Sequence, residues 1–173
     1  MTNGEQVCGP GEPGELLIAG ASVTPGYWNQ PEATAQAIKD GWLHTGDIAV
    51  KDKDDHIRIV DRTKDMYISG GENIYPAEVE EALYHHPAVA EVAVVDVPDQ
   101  RWGETGAAWI VLAPGSESSP GEIRSWAREH IAAFKIPRDI RVVDALPRNA
   151  TGKVVKSELR NQAAADADTT GRQ

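Results

Sequence analysis

The chain has 173 residues, 40% of them hydrophobic, and a formal net charge of −10. This length suits one domain or a small domain with an attached piece, and the composition is that of a folding chain rather than a disordered one. The acidic balance argues against nucleic acid or an anionic membrane surface as partner, since both select basic patches.

The single cysteine, Cys8, allows no internal disulfide and fits a reducing compartment. Met1 to Gly14 lacks the charged start and apolar stretch of a signal peptide. No apolar run is long enough to span a bilayer. A soluble cytoplasmic protein is expected.

In chain order, residues 1–14 read as a loop or frayed start. Glu15 to Gly20 reads as a short buried strand closed by glycine. Pro25-Gly26 marks a turn. Pro31-Glu32 opens a helix through Lys39, with proline in the first turn and an acid at the positive end. Ile48–Lys51 and His56–Val60 read as a hairpin joined by Asp52-Lys53-Asp54-Asp55.

A change of style follows Asp61. The run from Pro76 to Tyr84 begins as a helix with Val79, Ala82 and Leu83 on one face, and Pro87 stops it. Val89–Val97 and Gly106–Ala113 read as strands. Ser116–Gly121 is a polar loop. Glu122–Ala133 is a second amphipathic helix, with Ile123, Trp126 and Ile131 near one face. Ile140–Val143 is a third strand, and the Ala/Asp/Thr-rich residues 163–173 read as a frayed tail. The expected plan is a β-rich segment over 1–60, a connector over 61–65 and an alternating unit over 66–162. There is no internal repeat.

Several segments carry chemistry. In Gly41-Trp42-Leu43-His44-Thr45-Gly46-Asp47, the Asp47 carboxylate offers two acceptors that match the paired hydroxyls of a ribose. Taken alone, Thr-Gly-Asp is a turn. Asp61-Arg62-Thr63-Lys64-Asp65 packs four charges into five residues. That makes it either a solvated connector or a hinge whose Arg62 reaches ribose or phosphate oxygens. Ser69-Gly70-Gly71-Glu72-Asn73-Ile74-Tyr75-Pro76 permits positive φ and close backbone approach. Trp102 sits in the polar loop Asp99–Glu104, where an aromatic residue commonly covers a core. Phe134-Lys135-Ile136-Pro137-Arg138 carries two cations. Leu146-Pro147-Arg148-Asn149-Ala150-Thr151-Gly152-Lys153 ends in a Gly-Lys pair. It is no Walker A loop, because Pro147 stands at the first glycine position and Val154 follows the lysine. The histidines show no zinc-ligand spacing, and no metal site is expected.

The order and spacing of these segments over residues 14–160 resemble the C-terminal third of acyl-CoA synthetases of the adenylate-forming ligase superfamily. The resemblance implies an α+β fold, a small β-rich segment followed by a C-terminal lid domain whose three-stranded sheet is flanked by helices. It implies ATP with Mg²⁺ and coenzyme A as cofactors, and a carboxylic acid, expected to be a fatty acid, as substrate. The phosphate loop and acyl pocket of that family fall in an N-terminal domain not represented here, which becomes the expected partner.

The resemblance implies a role for each singled-out residue. Asp47 binds the ATP ribose, Arg62 contacts the nucleotide, and Lys64 is the pivot of a domain rotation. Gly71 borders the pantetheine tunnel, with Glu72 as polar support. Trp102 packs near the pantetheine arm. Lys135 and Arg138 contact CoA phosphates, although Ile136 stands where some relatives have a cation. Lys153 is the catalytic cation of adenylation. The rival readings are a peptide-synthetase adenylation domain, a luciferase-like oxidase and a non-catalytic binding domain.

Overall fold

The computed structural model describes residues 1–3 and 6–170. Gly4, Glu5 and residues 171–173, parts of the segments expected to be loose, lie outside the described residues. The chain forms two compact units, Met1–Lys64 and a second from Asp65 onward.

The first unit carries β1 (Thr2–Asn3), β2 (Gln6–Val7), β3 (Pro13–Ile18), α1 (Pro31–Ala37), β4 (Ile38–Lys39), β5 (Trp42–Lys51) and β6 (Ile57–Arg62). They form one antiparallel sheet in the order β2-β1-β3-β5-β4, with β6 also paired to β5. The N-terminal stretch expected as a loop thus contributes two short strands.

The helix expected to reach Lys39 stops at Ala37, and Ile38–Lys39 turns back to pair with Trp42–Leu43. Asp40 (φ 50°) and Gly41 (φ 82°) form the turn. Positive φ at both central positions is the geometry of a tight two-residue hairpin, and Asp-Gly is a preferred pair for it. The Asp52–Asp55 hairpin turn is closed by Asp52, whose Oδ1 accepts the amides of Asp54 (2.8 Å) and His56 (3.0 Å). Asp52, Asp54 and His56 lie together at this tip, all exposed.

The second unit carries β7 (Tyr67–Ser69), β8 (Glu72–Ile74), α2 (Pro76–Tyr84), β9 (Val89–Asp99), β10 (Gly103–Leu112), α3 (Pro120–His130), a 3₁₀ turn (Ala133–Lys135), β11 (Asp139–Val142) and α4 (Lys156–Thr170). The three expected strands are present as β9, β10 and β11, and the β7–β8 hairpin extends the sheet to five strands. β10 is central. Antiparallel β9 lies along one edge, and the other edge is shared by antiparallel β7 at Gly103 and parallel β11 at Ala107–Ile110.

Helices cover both faces of this sheet, which explains the nearly continuous apolar runs in β9 and β10. Val94, Ala108 and Ile110 pack with Val79 and Leu83 of α2 and Ile123 and Ala127 of α3. The alternate residues Ala93, Val95, Ala107 and Trp109 pack with Leu146 and with Leu159 and Ala163 of α4. α3 opens on a capping box. The Ser119 hydroxyl accepts from the Glu122 amide (3.3 Å) and Glu122 Oε2 accepts from the Ser119 amide (2.8 Å). The helix ends at His130, one residue before Ile131, so Ile123 and Ala127 form its buried face.

The expected fray from residue 163 is corrected, because helix continues to Thr170. Leu159 and Ala163 stand one turn apart and are both buried, so packing holds the first half of the helix from which the rest extends. Among the described residues, no helix is long and apolar enough to cross a membrane.

Candidate active site

The first group of residues belongs to the first unit. β5 and β6 place Asp47 directly opposite Arg62, and Arg62 Nε lies 3.2 Å from Asp47 Oδ1. Asp47 is largely shielded while Arg62 is mostly exposed, so the cation stays reachable. The strand edge is locked by Thr45, whose hydroxyl donates to the Leu16 carbonyl (2.7 Å) and accepts from the Asp47 amide (3.1 Å). Glu15 adds a second lock. Its carboxylate accepts from the Gly46 amide (3.2 Å) and pairs with His44 Nδ1 (2.8 Å). The Thr63 amide then donates to the Gly46 carbonyl (2.8 Å), drawing the connector against this edge. Gly46 has φ 72°, a left-handed conformation that glycine adopts without strain. A cleft of about 470 Å³ opens here, lined among others by Gln36, Lys39, Thr45, Arg62 and Lys64. Glu15 carries no signal in the sequence beyond its strand, and His44 enters only as part of the Gly41–Asp47 run; their pairing across β3 and β5 leaves no local mark.

The second group belongs to the β7–β8 turn and the β9–β10 turn. Gly70 (φ 60°) and Gly71 (φ 91°) are the two loop residues between Ser69 and Glu72, which pair across the hairpin. The Gly70 amide donates to the Trp102 carbonyl (3.0 Å). A Cβ on Gly70 would stand 2.6 Å from Trp102 Cε3, whereas one on Gly71 would meet nothing within 4 Å. Gly70 is therefore the residue that seats the indole, and Gly71 faces open space.

Trp102 is 37% exposed. The guanidinium of Arg101 lies 4.7 Å from its ring centroid and that of Arg138 lies 6.0 Å away. Asp99 ties this cluster together. Its Oδ1 accepts from the amides of Arg101 (2.8 Å) and Trp102 (2.9 Å), and its Oδ2 meets Arg138 Nη1 at 3.2 Å. The Trp102 amide, then the Arg101 amide, hold the Asp99 carboxyl below the usual carboxylate range, with Arg138 adding to the effect.

Lys135 is not part of this cluster of contacts. Its ammonium is bound by both carboxylate oxygens of Glu78 on α2, at 2.6 and 2.8 Å. Glu72 is exposed at the start of β8.

The third group is the loop between Arg148 and Val154, which form an isolated antiparallel bridge. Asn149 organises it. Asn149 Oδ1 accepts from the Thr151 amide (3.0 Å), the Thr151 hydroxyl (2.8 Å) and the Lys153 amide (2.9 Å). The Asn149 backbone donates to the Lys153 carbonyl and accepts from the Gly152 amide, each at 2.9 Å. Arg148 Nη1 donates to the Gly152 carbonyl (2.6 Å), and its Nη2 is paired with Glu91 on β9. The loop thus presents the exposed side chain of Lys153, whose ammonium has no ion-pair partner among the described residues.

The chain is similar to known proteins over most of its length. Residues 78–153 match the AMP-binding enzyme C-terminal domain. Feruloyl-CoA synthase from an Amycolatopsis species is 50% identical over 153 residues, which is 88% of this chain and 31% of that protein. The solved structure of o-succinylbenzoate CoA synthetase from Bacillus subtilis, in complex with its acyl-adenylate intermediate, is 42% identical. It superposes with a TM-score of 0.82, covering 94% of this chain and 32% of that one. The amide bond synthetase of Marinactinospora thermotolerans is 35% identical with a TM-score of 0.86, covering 93% and 33%.

Fold and matches together define an AMP-binding C-terminal domain with a preceding β-rich unit. The chain carries that domain and corresponds to the C-terminal part of adenylate-forming ligases, CoA ligases among them. It spans about a third of the length of the curated relatives it matches.

Proposed function

We propose that this chain is the mobile C-terminal portion of a cytoplasmic AMP-forming acid–CoA ligase. In the first half-reaction a carboxylate attacks the α-phosphorus of ATP bound with Mg²⁺, forming acyl-AMP and releasing pyrophosphate. In the second, the thiol of coenzyme A attacks the acyl carbon and AMP leaves. The acid is held by the N-terminal portion of the enzyme, which is the partner of this chain. The first unit fits such a partner. Its buried hydrophobic residues among those described are Cys8, Ile48 and Ala49, while Val7, Trp28, Ile57 and Ile59 are more than half exposed. Apolar side chains in that number call for cover.

The observation that carries the reading is the Lys153 loop. Adenylation brings carboxylate and phosphate oxygens together. A cation held out on an organised loop stabilises that charge more in the transition state than in the ground state. Asp47 and Arg62 serve the nucleotide, the first through its paired acceptors and the second as a permanent cation. Lys64, the last residue of the first unit, is the pivot between two orientations of the second. Trp102, Arg138 and Gly71 serve coenzyme A, with Glu72 in support. Lys135 joins them only on release from Glu78. The likeness to an amide bond synthetase favours one alternative, a different nucleophile accepting the acyl group.

The test joins this chain to the N-terminal portion of the Amycolatopsis feruloyl-CoA synthase and measures the half-reactions separately. Lys153→Ala lowers adenylation by ~10²–10³-fold, the cost of one lost electrostatic stabiliser. It leaves thioester formation from supplied acyl-AMP nearly unchanged. Equal loss in both steps contradicts the assignment.

A further inference from the structure

The geometry points to Glu91 and Arg148 as the positioning pair of the lysine loop, an inference that rests on the role proposed for Lys153. Glu91 lies near the start of the edge strand β9, opposite Val111 of β10, and is therefore anchored to the sheet. Arg148 stands at the root of the loop and uses its two terminal nitrogens in two directions. One is paired with Glu91; the other donates to the carbonyl of Gly152, the residue before Lys153, at 2.6 Å. A planar guanidinium fork can serve both at once, whereas an ammonium is a single point charge.

Apart from this bracket the loop is held at its flanks, where Leu146 is buried and Val154 packs against the same cluster, and by contacts internal to it. Asn149 bonds only to Thr151, Gly152 and Lys153 in the contacts above, so it fixes the loop's shape. It does not fix the loop's direction relative to the sheet. Gly152 (φ 83°) has no side chain to pack and nothing within 4 Å of where one would be. The Glu91–Arg148–Gly152 chain ties the tip of the loop to the sheet, which the packed flanks alone do not. Its energy is modest, because both side chains are more than 40% exposed and such pairs contribute little to global stability. Its effect on the reaction is larger than on folding, since small displacements of a catalytic group cost rate steeply.

Two readouts test this. In the 173-residue chain, amide hydrogen exchange is followed at Thr151, Gly152 and Lys153 for Glu91→Gln and Arg148→Lys. Both substitutions raise exchange at these amides several-fold, with the melting temperature of the second unit nearly unchanged. In the joined enzyme the same substitutions lower adenylation roughly tenfold. They spare thioester formation from supplied acyl-AMP, and Glu91→Asp restores part of the lost rate. Unchanged exchange with unchanged adenylation overturns the pair as positioning residues, and so does equal loss in both half-reactions. Lys153→Ala is run alongside. If it leaves adenylation intact, the reading of Lys153 itself falls. If it abolishes adenylation while Glu91→Gln does nothing, only the positioning role falls.

Discussion

Substituting the two glycines of the β7–β8 turn separates a steric role from a ligand-facing one. Both have positive φ, so an alanine at either position carries the left-handed penalty of about 1–2 kcal/mol. At Gly71 nothing is added, because a Cβ there meets no atom within 4 Å. At Gly70 the Cβ would stand 2.6 and 2.9 Å from two carbons of the Trp102 ring, so the ring must move. Overpacking of that kind adds about 1–3 kcal/mol. Gly70→Ala therefore destabilises the second unit by about 2–4 kcal/mol and Gly71→Ala by about 1–2 kcal/mol. Thermal unfolding followed by circular dichroism, fitted with a separate transition for each unit, measures the difference. Trp102→Ala provides the internal check, for in that background the two glycine substitutions cost the same. Equal costs in the presence of Trp102 refute the seating of the indole on Gly70. The functional half follows from the same geometry. A leucine at Gly71 meets only what is brought from outside, so in the joined enzyme Gly71→Leu accumulates acyl-AMP and makes little acyl-CoA. Unfolding, or equal loss of both steps, reduces Gly71 to a turn residue.

Burial, and then Asp96 and Glu104, push the Tyr67 phenol far above its ordinary pKa, and its hydroxyl is buried without a hydrogen-bond partner among the described residues. Tyr67→Phe is accordingly neutral or stabilising in denaturant unfolding, whereas Gly106→Ala, whose Cβ would stand 2.4 Å from that hydroxyl, is destabilising; a marked loss in Tyr67→Phe contradicts the first. Ser119→Ala removes the capping box of α3 and lowers stability by about 1 kcal/mol, which Ser119→Asp largely recovers. Asp99 has a depressed folded pKa, so its contribution is complete at neutral pH and fades as pH falls below about 4. Its carboxyl carbon, followed by NMR, titrates below the ordinary carboxylate midpoint, and a midpoint at or above it refutes the Asp99 contacts. The 173 residues alone release no pyrophosphate from ATP with fatty or aromatic acids, and robust turnover overturns the need for an N-terminal portion.

What the sequence makes legible here is whatever depends on neighbours along the chain. Pro76 at a helix start, Val79 and Leu83 one turn apart and the valine run of β9 all carry local signals, and the structure realises each. Two further signals are local but compete with a contrary one in the same stretch of chain. Asp40-Gly41 is a hairpin pair just beyond the stretch that reads as helix through Lys39, and the turn it makes draws Ile38-Lys39 out of the helix to pair with Trp42-Leu43. Leu159 and Ala163 mark a helical face that runs into the segment, from residue 163, whose composition reads as frayed; α4 forms because Ala93, Val95 and Trp109 need cover on that side of the sheet. The candidate site divides in the same way. Motif spacing picks out Asp47, Arg62, Gly71, Trp102 and Lys153, but it does not show what each side chain touches. That Lys135 is captured by Glu78, that Gly70 rather than Gly71 carries the indole, and that Glu91 reaches Arg148 depend on strand register and on the direction of single Cα–Cβ bonds. A motif names the group that meets the reacting atoms. The residues that aim it are recruited from wherever the fold brings a partner within reach, so their spacing in the chain carries no mark of the role.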